Sequence, residues 1–85
     1  MTETRILGLL ISDRIKEAGR TQKLLTRYAR LIRSRLGFHE LTEAVCSRAG
    51  IVVIHLTGTV AEWDEFENEL KQIEGIEVQR MSFVY

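Results

Sequence analysis

Ile51-Val52-Val53-Ile54-His55-Leu56 and, nearer the start of the chain, Ile6-Leu7-Gly8-Leu9-Leu10-Ile11 are runs in which almost every side chain is apolar. Successive side chains of a strand point to opposite faces, so a sheet with one wetted face alternates apolar with polar. A continuous apolar run means burial on both faces. A chain of 85 residues has helix enough to cover one face, and the second then calls for another copy of the same chain, with room for a small ligand at the seam. Self-association, as dimer or tetramer, is the first functional expectation.

Such a length suits one domain, residues 1–85, which alone buries only about 60–65% of its unfolded surface and gains from oligomerisation. The apolar fraction of 45% and charged fraction of 28% are ordinary for a globular protein, and the absence of proline argues against linkers and disorder. Met1-Thr2-Glu3-Thr4-Arg5 lacks a basic start followed by a long apolar stretch, and no apolar run approaches the ~18 residues of a membrane span. A cytoplasmic protein without membrane contact is expected. Cys46 is the single cysteine, which excludes an intramolecular disulfide and a zinc site of several thiolates from one chain.

Charge is balanced overall but not along the chain. Arg14 to Arg35 carries eight basic residues against Glu17 alone, whereas Glu62 to Glu77 carries seven acidic residues against Lys71 alone. The two segments attract, within the chain or between chains.

The first strand is expected over about Thr4 to Ser12, with Ser12 or Asp13 capping a helix from Arg14 to Tyr28. Ile15, Ala18, Leu25 and Tyr28 form its apolar stripe, with Leu24 beside it and Arg20, Lys23 and Arg27 toward water. Gly19 costs about 1 kcal/mol relative to alanine inside a helix, which points to close packing or ligand approach there. A second strand over Ala29 to Phe38 sets Ile32, Ser34, Leu36 and Phe38 on one side and Leu31, Arg33, Arg35 and Gly37 on the other, an edge-strand composition. After a polar connection from His39 to Gly50, a third strand runs from Ile51 to Thr57 and stops at Gly58. Thr59 and Glu62 form a capping box for a second helix that buries Trp63, Phe66, Leu70 and Ile73, and Gly75 closes it in a left-handed position. The fourth strand covers Ile76 to Phe83. This β-α-β-β-α-β order, with right-handed crossovers, specifies an α+β ferredoxin-like fold: a four-stranded antiparallel sheet of order 4-1-3-2 with both helices on one face. Strands one and three are then central, where the doubly apolar runs lie. Ile51, Val53 and His55, with Arg33 and Arg35 from the edge strand, mark the expected oligomer interface.

Arg5-Ile6-Leu7-Gly8, Ser12-Asp13-Arg14, Arg35-Leu36-Gly37, Gly50-Ile51-Val52-Val53-Ile54 and Ile73-Glu74-Gly75-Ile76-Glu77-Val78 together resemble the iron-only hydrogenase system regulator family. Its members are single ACT-like domains related in fold to the ligand-binding domain of nickel-responsive repressors. The resemblance spans nearly the whole chain and implies an oligomeric, cytoplasmic, non-catalytic regulator. ACT domains bind amino acids or other small effectors near the first strand-helix loop and at the subunit interface. Here that loop is Ser12, Asp13 and Arg14, followed by Gly19, and it lacks the glycine often found in it. Between Gly37 and Gly50 the chain also carries several more residues than the simplest members.

That longer connection holds His39 and Cys46. With His55 they offer a soft nitrogen and sulfur donor set of the kind that suits nickel, zinc or copper, although the histidine-any-histidine pair of the nickel repressors is absent. The competing reading makes Cys46 a small half-buried thiol and His55 a polar interruption of the sheet surface. The basic helix offers an anion or nucleic-acid contact, but only Tyr28 interrupts it for stacking and the acidic helix cancels its field, so charge pairing between helices or subunits is favoured. Ser34, Ser47, Cys46 and the two histidines form no nucleophile-base pattern, and no phosphate-cradling glycine motif is present, so no enzyme activity is expected. A metal-binding sensor using His39 and Cys46, or a protein-interaction adaptor docking by its basic helix, are the alternatives to an effector-sensing regulator.

Overall fold

The two apolar runs pair with each other at the centre of the sheet. In the computed structural model, which describes residues 2–13, 18–38 and 50–85, β1 (Glu3–Ile11) lies antiparallel to β3 (Gly50–Leu56) and to β4 (Ile76–Val84), while β2 (Ile32–Phe38) flanks β3. The order is β2-β3-β1-β4. With α1 (Ala18–Arg27) following β1 and α2 (Val60–Lys71) following β3, this is the α+β ferredoxin-like fold.

Alternation decides which half of each central strand meets the helices. Leu7 and Leu9 of β1, with Ile54 and Leu56 of β3, pack against Leu24, Leu25 and Tyr28 from α1 and its end and against Trp63, Phe66 and Leu70 of α2. Tyr28 and Phe66 stack at 4.7 Å between ring centroids. The stripe on α2 arises from residues three and four apart. Its first turn is fixed by the capping box: Glu62 N–H donates to Thr59 Oγ1 at 3.3 Å and Thr59 N–H donates to Glu62 Oε1 at 3.1 Å. Two ion pairs draw the helical layer together, Arg27 to Glu69 at 2.9 Å and Arg30 to Glu62 at 3.3 Å. The basic and acidic segments therefore attract within the chain.

Several local expectations shift. Described helix α1 ends at Arg27, and Ala29–Leu31 form a single 3-10 turn, so β2 begins at Ile32 instead of Ala29. Leu31 is buried there, and its carbonyl accepts from Thr57 N–H at 2.7 Å. A bulge between Ile32 and Ser34 changes the register. An extra residue in one strand exchanges the faces of everything before it. Ile32 consequently packs on the core, while Ser34 and Leu36 take the opposite face. Gly75, at φ 88°, belongs to the turn into β4, since α2 ends at Lys71 and is capped by Gln72, whose N–H donates to the Glu69 carbonyl. Gly58 has φ 113°, and a Cβ there would meet Leu31 Cδ2 at 2.9 Å, so this position requires glycine. Around Gly19, by contrast, a Cβ meets nothing within 4 Å among the described residues, and close packing against them is not the reason for that glycine.

Candidate functional site

The face of the sheet turned away from the helices is largely apolar, with Ser34, His55, Gln79 and Glu77 as its polar members. Cross-strand register aligns it in rows: Ser34, His55, Ile6 and Met81 in one, Leu36, Val53, Gly8 and Gln79 in the next, then Ile51, Leu10 and Glu77. Leu36 is 64% exposed, Met81 54%, Phe83 48%, Leu10 42% and Ile51 38%. About half of five large side chains, each with roughly 150–200 Å² to bury, leaves on the order of 450 Å² of apolar surface in water. A contiguous patch of that size is in the range of the largest apolar patch on a monomer, which is often functional, whereas single exposed leucines need no explanation. Glu77, near one end, supplies the carboxylate of these rows; the other polar members are neutral amides, hydroxyls and an imidazole.

Two features break the flatness. At Gly8 the missing side chain leaves a hollow with lobes of about 220 and 190 Å³, lined by Ile6, Leu10, Ile51, Val53, Gln79 and Met81 among others. A Cβ at Gly8 would meet nothing nearer than the Gln79 carbonyl at 4.0 Å, so the space opens onto the surface. Gln79 Nε2 donates to Glu77 Oε2 at 2.8 Å at its rim. Beyond Ile6, the half-buried His55 Nε2 lies 2.6 Å from Thr4 Oγ1.

On the other side of the sheet, the polar chemistry is structural. Arg5 is 2% exposed, lies over the Trp63 ring at 5.5 Å, and donates to Asp64 at 2.8 Å and to Glu67 at 3.4 Å. Glu67, 3% exposed, also pairs with Lys71 at 3.0 Å and Arg80 at 3.3 Å. Burial of an ion is tolerated when counter-charges and hydrogen bonds surround it. The Arg5 hydrogen bond holds the Asp64 carboxyl below its usual range, and the Thr59 hydroxyl and N–H do the same for Glu62. Tyr28 donates its phenol proton to Glu69, and that bond together with burial raises the phenol to about 12. Arg5 and Glu67 were not singled out by sequence reasoning, yet both were marked: Arg5 shares parity with Leu7 and Leu9, and Glu67 falls four after Trp63 inside the buried stripe.

The expected site residues divide. Ile51, Val53 and His55 share the open face. Arg35 does not, because its register partner is the buried Ile54; it lines a helix-side cleft of about 310 Å³ with Gln22, Leu25 and Thr26. Arg33 is exposed at the bulge. In the first loop, Ser12 N–H donates to the Gly75 carbonyl at 2.9 Å and Asp13 is half-buried, whereas Gly19 is exposed in α1. Arg14, His39 and Cys46 lie outside the described residues, so the proposed effector loop is only partly described and His55 is the described member of the metal set. Among the described residues no group of three histidine, cysteine or acidic side chains could hold a metal ion. Among them too, no helix is long and apolar enough to cross a membrane. Arg20, Lys23 and Arg27 of the basic helix line a groove of about 320 Å³ against Glu69, Gln72 and Ile73 of the acidic segment, so the acidic residue opposes the cationic wall.

No protein-family model matches the chain, and no curated protein matches it. Among solved structures, it is similar to the uncharacterized protein TM1266 from Thermotoga maritima, with a TM-score of 0.81 and 21% sequence identity over 98% of this chain and 100% of that one. At that identity the likeness establishes the ferredoxin-like fold.

Proposed function

We propose that this chain is a non-catalytic, cytoplasmic regulatory domain that pairs with a second copy of itself through the open sheet face and senses a small effector. The observation that carries this reading is the apolar surface of Ile6, Leu10, Leu36, Ile51, Val53, Met81 and Phe83, which no helix among the described residues covers. Its extent supports pairing: four strands at about 4.8 Å spacing and seven to nine residues at about 3.3 Å give a footprint of about 19 by 25 Å. With side-chain relief, that approaches the ~800 Å² each partner contributes to a standard interface. Its chemistry supports a second copy as occupant. Partners of different sequence are commonly selected by complementary charge, which this face does not offer, whereas a nearly neutral face meets itself across a two-fold axis without repulsion.

Closing the face would enclose the Gly8 hollow, whose size suits an effector on the scale of an amino acid, with Gln79 and Glu77 as its polar wall. Ser12 and Asp13 offer a second approach at the end of β1. The process we assign to the regulator is the one its resemblance implies, the iron-only hydrogenase system. Native mass spectrometry of untagged protein tests the reading, since one spectrum reports subunit number and any retained small mass. An oligomer with a discrete extra mass is expected; a clean monomer at micromolar concentration would overturn the pairing.

A further inference from the structure

We infer that the outer edge of β4 is a second docking surface whose partner is the same strand of another copy, antiparallel about a two-fold axis at Met81, so that two four-stranded sheets join into one. In an antiparallel ladder, residues that exchange hydrogen bonds with the neighbouring strand alternate with residues whose N–H and C=O point away from it. The ladder between β1 and β4 is anchored at both ends: Thr2 and Tyr85 exchange two bonds at 2.7 Å, and Ser12 N–H donates to the Gly75 carbonyl at 2.9 Å. The register between these anchors is unbroken. Odd-numbered residues of β4 therefore bond to β1, while Val78, Arg80, Ser82 and Val84 turn their backbone groups outward. Ile76 has the same parity, but its N–H already donates to the Ile73 carbonyl at 3.3 Å. β4 ends the sheet, and no described strand pairs with this edge.

An open edge is a template for another strand, and proteins blunt such edges with short strands, bulges, proline or exposed cations. The opposite edge carries guards of this kind: β2 has seven residues, a bulge between Ile32 and Ser34, and exposed Arg33 and Arg35. β4 has nine residues, no proline and no break in register, and every residue from Arg80 to Tyr85 is exposed. Arg80 is its one basic residue, and Glu67 holds that guanidinium at 3.3 Å on the helical side.

Val78, Arg80, Ser82 and Val84 are symmetric about Met81, which makes the edge complementary to itself. An axis at Met81 sets Val78 of one copy opposite Val84 of the other and Arg80 opposite Ser82, and satisfies every outward N–H and C=O of these four residues. On the open face Met81 meets Met81, Gln79 meets Phe83, and Glu77 meets Tyr85, whose phenol can donate to the carboxylate. Like charges do not stand opposite one another. An axis at Arg80 would instead oppose two guanidinium groups, an unfavourable cross-strand pair, and would call on the Ile76 N–H that is already engaged. A single strand edge buries less surface than a sheet face, so this contact forms at higher concentration than the face pair.

Sedimentation equilibrium of the full chain over a concentration series, on wild type, Ser82→Pro and Ser82→Lys, tests this, with far-UV circular dichroism to confirm folding. Proline removes an outward N–H and leaves the bonds to β1 in place, and lysine stands opposite Arg80 of the other copy. Wild type is expected to associate beyond two copies, and each variant to weaken that step at least about tenfold while keeping the face pair. Amide hydrogen exchange reads the edge itself: Val78, Arg80, Ser82 and Val84 should gain protection as concentration rises through that step. A wild type that stops at two copies with these four amides unprotected, or a larger assembly that both variants leave unchanged, would overturn the edge contact and leave the face pair standing. A dimer that Ser82→Pro abolishes and Val53→Glu leaves intact would uphold the edge and overturn the face. A monomer at every concentration would overturn both.

Discussion

Val53→Glu should convert the paired protein to a folded monomer. Val53 is half-buried on the open face, between Leu36 and Gly8 in its row, and is absent from the side chains that form the core under the helices. In a single chain a glutamate there can extend into water, so the melting temperature of the monomer should move little. In the pair, the same carboxylate would be covered by rows that hold no lysine or arginine among the described residues. Burying an unpaired ion costs several kcal/mol even after relaxation. Taking about 3 kcal/mol for each of two chains gives about 6 kcal/mol, a rise in Kd of about four orders of magnitude. Sedimentation equilibrium reads the association, and a circular dichroism melt reads the fold. A variant that pairs within tenfold of wild type would refute the placement of Val53 in the interface. One that loses its helical signal would show that Val53 supports the monomer core.

Other substitutions test the interior. Glu67→Gln leaves the buried Arg5 guanidinium with Asp64 as its close carboxylate and should cost about 3 kcal/mol in urea unfolding; an unchanged midpoint would mean that the cluster is not what holds Arg5. The Tyr28 phenol, raised to about 12, contributes stability that is whole below its ordinary value near 10 and is lost as pH climbs from 10 toward 12, so Tyr28→Phe should flatten that decline in urea midpoints. At the acid end, the lowered Asp64 and Glu62 carboxyls contribute stability present above the carboxylate range and lost as pH falls through it. Gly19→Ala should stabilise the protein by about 0.5–1 kcal/mol, because a Cβ there meets nothing among the described residues; a loss of stability would show a constraint on Gly19 that these surroundings do not reveal.

The fold was legible because its signals agree at every level: two doubly apolar runs, a capping box at Thr59 and Glu62, and a β-α-β-β-α-β order all specify one topology. What escaped was set by single-residue shifts. Nothing in Leu31-Ile32-Arg33-Ser34 announces a bulge, yet that one residue moves Ile32 to the core and separates Arg35 from Ile51, Val53 and His55. Arg5 and Glu67 escaped because a charge is read as solvent-facing unless its position in the stripe outweighs its chemistry. At the candidate site, strand parity gave Ile51, Val53 and His55 directly. Gly8 as a hollow and His55 beside Thr4 needed the pairing register, since β1 and β3 meet across a long separation in sequence. His39 and Cys46 fall outside the described residues, so the metal reading stays where the sequence left it.

Hydroxyl-radical footprinting across a dilution series addresses the covered face most directly. Leu36, Met81 and Phe83, at 64, 54 and 48% exposure in the single chain, lie on or beside the face, whereas Val60, 40% exposed, starts α2 on the helical side. If two copies close the sheet, oxidation at Leu36, Met81 and Phe83 should fall as concentration rises through the dimerisation range while labelling at Val60 stays constant. Equal labelling of all four residues at every concentration, in protein that nonetheless associates, would mean that the copies meet elsewhere and that the open face is not the interface.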